Sequence, residues 1–222
     1  MIKMLQNKSA LLKVVTLALA FVLVAALSVG GTLAWLTAKS DEVKNTFTSA
    51  ELFDNPTEDF TLWEHMAVAA DDGTYTLDTS VEVGSNTYDI LPGVNIPKDP
   101  TVDIEGLQEY AYLYIKVTGS IPGVTYSIDA ANWTQLGGHT DVWVYSGSEA
   151  TSNVIKATDE NQKSFTVNIL TQDTYGNAIT VPADYNNTTD NSTLTFNAYM
   201  VQATGNGANA AQAWANTYGA NP

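Results

Sequence analysis

The sequence predicts an all-β protein: an antiparallel two-sheet sandwich of jelly-roll type with a short C-terminal helix, preceded by a signal peptide. Three observations predict it. Past residue 54 the chain breaks into short runs rich in Val, Ile, Thr, Tyr and Phe, each bounded by Gly, Pro, Asn or Asp. Helix signals are scarce and gather at residues 209–216. The first 34 residues are a positive, then apolar, then small-residue leader.

In that leader Lys3, Lys8 and Lys13 form the positive region, and residues 14–29 form the apolar one. Thr32 and Ala34 then put small side chains three and one residues before a cut between Ala34 and Trp35. Bulkier side chains there would hold the scissile carbonyl away from a peptidase nucleophile. The competing reading is an uncleaved anchor, because residues 14–38 carry no charge and a bilayer needs about 20 apolar residues. Ser28, Gly30, Gly31 and Thr32 weaken the second half of that run, so export with removal is expected. The expected organisation is signal peptide 1–34, an extended N-terminal segment 35–53, and one sandwich domain 54–222.

Along the domain, residues 57–66 read as a short helical turn before the acidic turn Asp71-Asp72-Gly73. Residues 80–83 and 88–91 read as strands, the second ending at Pro92-Gly93, and 101–105 follows with Gly106 as a turn. Tyr110-Ala111-Tyr112-Leu113-Tyr114-Ile115-Lys116-Val117 is apolar or aromatic on both faces, which predicts a central strand covered on both sides. Residues 124–128, 133–136 and 142–145 are further strands, with Gly137-Gly138 and Ser146-Gly147 as turns. Residues 165–170 alternate with period two, one face buried and one wet, and 193–201 repeats the pattern as the last long strand. Residues 184–192, polar and Asn-rich, read as a surface loop. The helix at 209–216 has an Asn N-cap followed by good helix formers.

Composition narrows function. Past Ala34, six lysines and no arginine stand against all 24 acidic residues. Nucleic-acid binding, which needs clustered cations against phosphates, is excluded as an expectation, and so is adhesion to anionic lipid through charge. Cysteine is absent, so an exported fold here relies on packing, with Trp63, Trp133, Trp143, Trp214 and the tyrosines to supply it.

Four blocks of residues resemble one family. Gly30-Gly31-Thr32-Leu33-Ala34-Trp35-Leu36-Thr37, followed by Asp41-Glu42-Val43 and Asn45-Thr46-Phe47-Thr48, is similar to the signal region and mature start of the TasA/camelysin family. Leu91-Pro92-Gly93-Val94-Asn95-Ile96-Pro97-Lys98-Asp99-Pro100-Thr101-Val102 resembles its Pro-Gly…Lys-Asp block, and residues 111–117 the apolar strand after it. Ala198-Tyr199-Met200-Val201-Gln202-Ala203 resembles the closing strand, with an Ala/Trp helix behind it. The resemblance implies secretion through a dedicated signal peptidase (signal peptidase W) in a Gram-positive bacterium. It further implies a jelly-roll subunit that polymerises into biofilm matrix fibres by donating its freed N-terminal strand to the next subunit. The implied partners are other copies of the chain, related minor fibre subunits and other matrix components. Within residues 35–53, Trp35, Val43, Phe47 and Phe53 share one parity and could face a neighbour's core, although Lys39 and Asp41 share that parity too; Trp35, Val43 and Phe47 are the candidate donor-strand contacts. For residues 47–53 pairing within the same chain is the favoured reading.

The camelysin branch carries a metallopeptidase description, and the residues do not support it. A zincin needs His-Glu-x-x-His, whereas this chain has only His65 and His139, in no such arrangement. There is no Gly-x-Ser-x-Gly and no cysteine nucleophile. Asp99, Asp103 and Glu105 lack EF-hand spacing and read as surface solvation. No catalytic residue, metal ligand or cofactor is therefore expected. The expected function is a secreted, non-enzymatic fibre subunit. A monomeric adhesin or glycan-binding sandwich, with Trp133 and Trp143 as a sugar platform, is the alternative, and a camelysin-like peptidase comes third.

Overall fold

β-branched and aromatic residues alternating with polar ones give strands whose backbone groups need a neighbouring strand, and here they assemble into three antiparallel sheets. The computed structural model describes residues 37–40, 45–47, 52–158, 160–186 and 192–219. All of these lie in one unit, Leu36–Pro222. The expected signal region 1–34, the expected cleavage point between Ala34 and Trp35, and Val43 lie outside the described residues. Among the described residues no helix is long and apolar enough to cross a membrane.

The largest sheet is built around β7 (Ala111–Gly119) and β15 (Leu194–Gln202), paired from Leu194↔Gly119 to Gln202↔Ala111. On its other side β7 pairs with β10 (Val142–Tyr145), which carries β9 (Trp133–Gln135). It also pairs with β12 (Val154–Ile155), which carries β11 (Ala150–Thr151). The far side of β15 carries β1 (Thr37–Ser40) and then β2 (Asn45–Phe47). A four-stranded sheet runs in the order β13 (Lys163–Asn168), β6 (Thr101–Leu107), β3 (Phe60–Ala69), β4 (Tyr75–Val83). A small sheet joins β5 (Ile96–Pro97), β14 (Asn177–Thr180) and β8 (Thr125–Tyr126).

The two-sided strand expected at residues 110–118 is β7, and its two faces explain the layering. Leu113, Ile115 and Val117 join Phe196, Met200, Val102, Ile104 and Val167 in a core shared by the two larger sheets. Tyr112 and Tyr114 point the other way, into a second cluster with Tyr199, Val201, Val142 and Trp214. Trp214 belongs to the C-terminal helix α2 (Ala210–Tyr218), so the helix is the lid on the outer face. The expected Asn209 N-cap is present: its side chain accepts the Gln212 N–H at 3.0 Å. The helix stops where Gly219 adopts φ 74°. Ala210 and Ala213 bring it close enough for the Tyr114 hydroxyl to donate to the Ala210 carbonyl at 2.8 Å.

Burial holds the hydroxyls of Tyr114, Tyr218 and Tyr88 well above their ordinary value of 10.0. For an acid raised in this way, the stabilising effect is complete below the unfolded value and is lost as pH rises above it. Unfolding above about pH 10 is therefore expected, with these tyrosines ionising only as the fold is lost. Tyrosinate absorbance followed beside circular dichroism tests this. Reversible ionisation of all 11 tyrosines with an unchanged β-sheet spectrum would contradict it.

Three local expectations need correction, and a fourth reading is refined. Of residues 57–66 only the start is helical, as α1 (Pro56–Asp59); from Phe60 the chain is β3. Pairing from Phe60↔Ile104 to Trp63↔Thr101 draws it into the sheet, overriding a weak helix preference. Residues 88–91 form no strand: Tyr88 and Ile90 pack on the core from a loop, where the Tyr88 hydroxyl donates to the Pro97 carbonyl at 3.0 Å. Gly106 is no turn between strands but lies inside β6 at φ 59°, where the pairing with β13 shifts register, a bulge only glycine adopts without strain. Finally, Leu52 and Phe53 are core residues, not part of an extended arm. Phe53 is fully buried, stacked on Phe60 with ring centres 5.9 Å apart, so this end of the 35–53 segment folds with its own chain, as favoured above.

Candidate functional site

The outer edge of β15 is where the N-terminal segment meets the domain. β15 alternates as its sequence predicts: Phe196, Ala198 and Met200 enter the main core, while Tyr199 and Val201 face α2. Nine register positions bind it to β7. On the opposite edge, among the described residues, β1 pairs through Thr37↔Val201, Ala38↔Met200 and Lys39↔Tyr199. The chain then doubles back, and β2 pairs with β1 through Ala38↔Phe47, Lys39↔Thr46 and Ser40↔Asn45. The backbone of Phe47 is thus paired in cis, while Trp35 and Val43 lie outside the described residues. A backbone hydrogen bond nets about 1 kcal/mol, so the three described positions contribute a few kcal/mol at most to holding this strand.

The edges of the four-stranded sheet are less suited to adding a strand. Along β4 the register jumps from His65↔Glu82 to Met66↔Asp78, so Thr79, Ser80 and Val81 bulge out. Asp78 fixes the bulge, accepting the Ser80 amide at 2.9 Å and its hydroxyl at 2.6 Å. Those bonds hold the Asp78 carboxyl below its ordinary 3.8. The carboxylate therefore favours the bulge above that value, and its contribution is lost as the pH falls through the lowered one. β13, at the other edge, has a register shift between Lys163 and Phe165. A bulge and a charge on an edge both discourage strand addition.

The residues weighed for chemistry have other roles. His65 is on β3, neither helical nor in a loop, and the Asp99 carboxylate accepts from its backbone amide at 3.0 Å and meets Nδ1 at 2.5 Å. One residue earlier on β3 and on the connection between β5 and β6, Lys98 donates to Glu64 at 2.5 Å, with side chains 12 % and 6 % exposed. Lys98 also sits 5.8 Å from the ring centres of Tyr88 and Phe196. The Lys-Asp pair in the block at residues 91–102 is thus a buried clamp between β3 and the start of β6, which sequence spacing alone did not reveal. Asp99 is consequently not grouped with Asp103 and Glu105 for a cation. His139 lies beside Trp214, ring centres 6.1 Å apart. Among the described residues no three His, Asp or Glu side chains are placed to hold a metal ion.

Trp133 and Trp143 do lie on paired strands, but on the core side. Trp133 is 3 % exposed, opposite Tyr145, and its indole N–H donates to the Asn168 carbonyl at 2.8 Å. Trp143 is half-buried against the same core. These rings therefore offer no flat platform to a sugar, which corrects that expectation. No family model, curated protein or solved structure matches the chain.

Proposed function

We propose that the chain is a secreted structural subunit of extracellular matrix fibres, a jelly-roll domain that polymerises by exchanging its N-terminal strand with the next copy. The observation carrying this reading is the position of β1: three residues past the expected cut after Ala34, on the regular outer edge of β15. Removing the signal peptide would free the end of that strand. A neighbour's Thr37–Ser40 can offer the same backbone bonds in the same register, so exchange demands no new chemistry. Such contacts run head to tail and grow filaments unless the rotation closes a ring. The TasA/camelysin resemblance in residues 30–48, 91–102 and 198–203 supports the same reading, with secretion, the signal peptidase and minor fibre subunits as its implied partners.

Deleting residues 35–45 is expected to leave a folded monomer that cannot elongate. Because its β15 edge is vacated, the truncated chain should also accept one donor strand and then end growth, shortening fibres when mixed with the mature form. Sedimentation and negative-stain microscopy read the outcome, with circular dichroism as the folding control. Polymerisation of the truncated chain equal to that of the mature form would reject strand exchange through this segment.

A further inference from the structure

A cleft of about 510 Å³ opens on a different part of the molecule, between the loop before β9, the loop after β10 and the end of β13. Its floor is rigid and aromatic. The Tyr145 and Phe165 rings lie 5.3 Å apart at 30°, and Trp133 supports Tyr145 from the side at 5.6 Å. Gly147 makes the near wall possible: a Cβ there would come within 2.6 Å of both the Tyr145 hydroxyl and Asn132 Oδ1.

The polar groups around this floor are fixed but not saturated. Asp129 accepts from the Ala131 amide at 3.0 Å and from Asn132 Nδ2 at 2.7 Å, leaving further lone pairs on both oxygens. Glu149 Oε2 is met by Lys163 at 3.2 Å, and its other oxygen makes no bond among the described residues. Asn168 uses its Oδ1 on Thr101 at 2.7 Å, and Gln172 uses Nε2 on the Lys98 carbonyl at 3.3 Å, leaving an amide donor and an amide acceptor respectively.

That inventory selects a ligand class. Two carboxylates beside a single lysine already paired with one of them oppose an anion. A lining mostly of polar side chains opposes a lipid or aliphatic ligand. Carboxylate acceptors and amide groups of both senses above one aromatic ring suit an uncharged molecule with many hydroxyls and an apolar ring face. We propose that this cleft binds a neutral saccharide, with Asp129 and Glu149 accepting from its hydroxyls, Asn132 and Asn168 donating to them, and Phe165 beneath the sugar ring. The site does not depend on the fibre reading, since none of its residues belongs to β1 or β15. In a fibre it would recur in every subunit and gain affinity for a polysaccharide through multivalency.

Saturation-transfer difference NMR tests this directly, because it observes the sugar and works on monomer and fibre alike. The probes are maltotetraose, cellotetraose, laminaritetraose and N-acetylchitotetraose, with tetragalacturonate as the charged control. At least one neutral probe is expected to bind with a Kd of about 1 mM, and Asn132→Ala and Glu149→Gln are each expected to weaken it about tenfold. Circular dichroism checks folding, and if one variant unfolds the other decides. The proposal is overturned if no neutral probe binds at about 10 mM, if binding survives the folded variants, or if tetragalacturonate binds as well as the neutral sugars.

Discussion

Replacing Trp214 by alanine is expected to destabilise the protein by about 3–5 kcal/mol and to lower its Tm by about 10 °C. Trp214 is fully buried at the centre of an aromatic cluster, with ring centres 5.0 Å from Tyr114, 5.2 Å from Tyr199 and 4.6 Å from Tyr218. It is the main side chain by which α2 covers the outer face of β7 and β15. Its removal leaves a cavity and weakens the helix that keeps those tyrosines dry. The indole N–H has no hydrogen-bond partner among the described residues. Trp214→Phe, which removes that unpaired donor and keeps a ring, should therefore cost far less than the alanine change. Urea unfolding of both variants measures the difference. A loss below about 1 kcal/mol for Trp214→Ala would mean that α2 is not docked as described.

Lys98→Ala is expected to cost about 3–5 kcal/mol, because it strands the Glu64 carboxylate at a position only 6 % exposed. The ammonium also lies near the Tyr88 and Phe196 rings, so its stem and charge both contribute to packing. The sign of the double change separates the pair's net worth from the penalty of breaking it. Lys98→Met with Glu64→Leu removes both charges and should recover most of the loss, since a buried pair replaced by apolar groups is often neutral. A double-mutant cycle by chemical denaturation gives the coupling between the two residues. If Lys98→Ala unfolds at the same denaturant concentration as the parent, the clamp between β3 and the start of β6 is not closed in solution.

The sequence alone determined the elements whose signals are local. Period-two patterns placed β13 and β15, the two-sided apolar run placed β7 at the sheet centre, and Asn209 marked the start of α2. It also made plain the absence of a His-Glu-x-x-His or Gly-x-Ser-x-Gly motif. Tertiary structure decided everything that depends on a distant partner. Residues 60–66 became strand because β6 supplied an edge for residues 60–63 and β4 one for residues 64–66, and Lys98 met Glu64 across 34 residues of chain. Trp133 and Trp143 turned inward because their strands' core face is set by the sheet behind them. The cleft draws its lining from loops and strands spread from Asp129 to Gln172, which no spacing rule links. Thr37–Ser40 found its place only because β15 returns beside it from the far end of the chain. A side chain's periodicity is fixed by its immediate neighbours, but the groups that satisfy its charge, its hydrogen bonds and its open edge are chosen by topology.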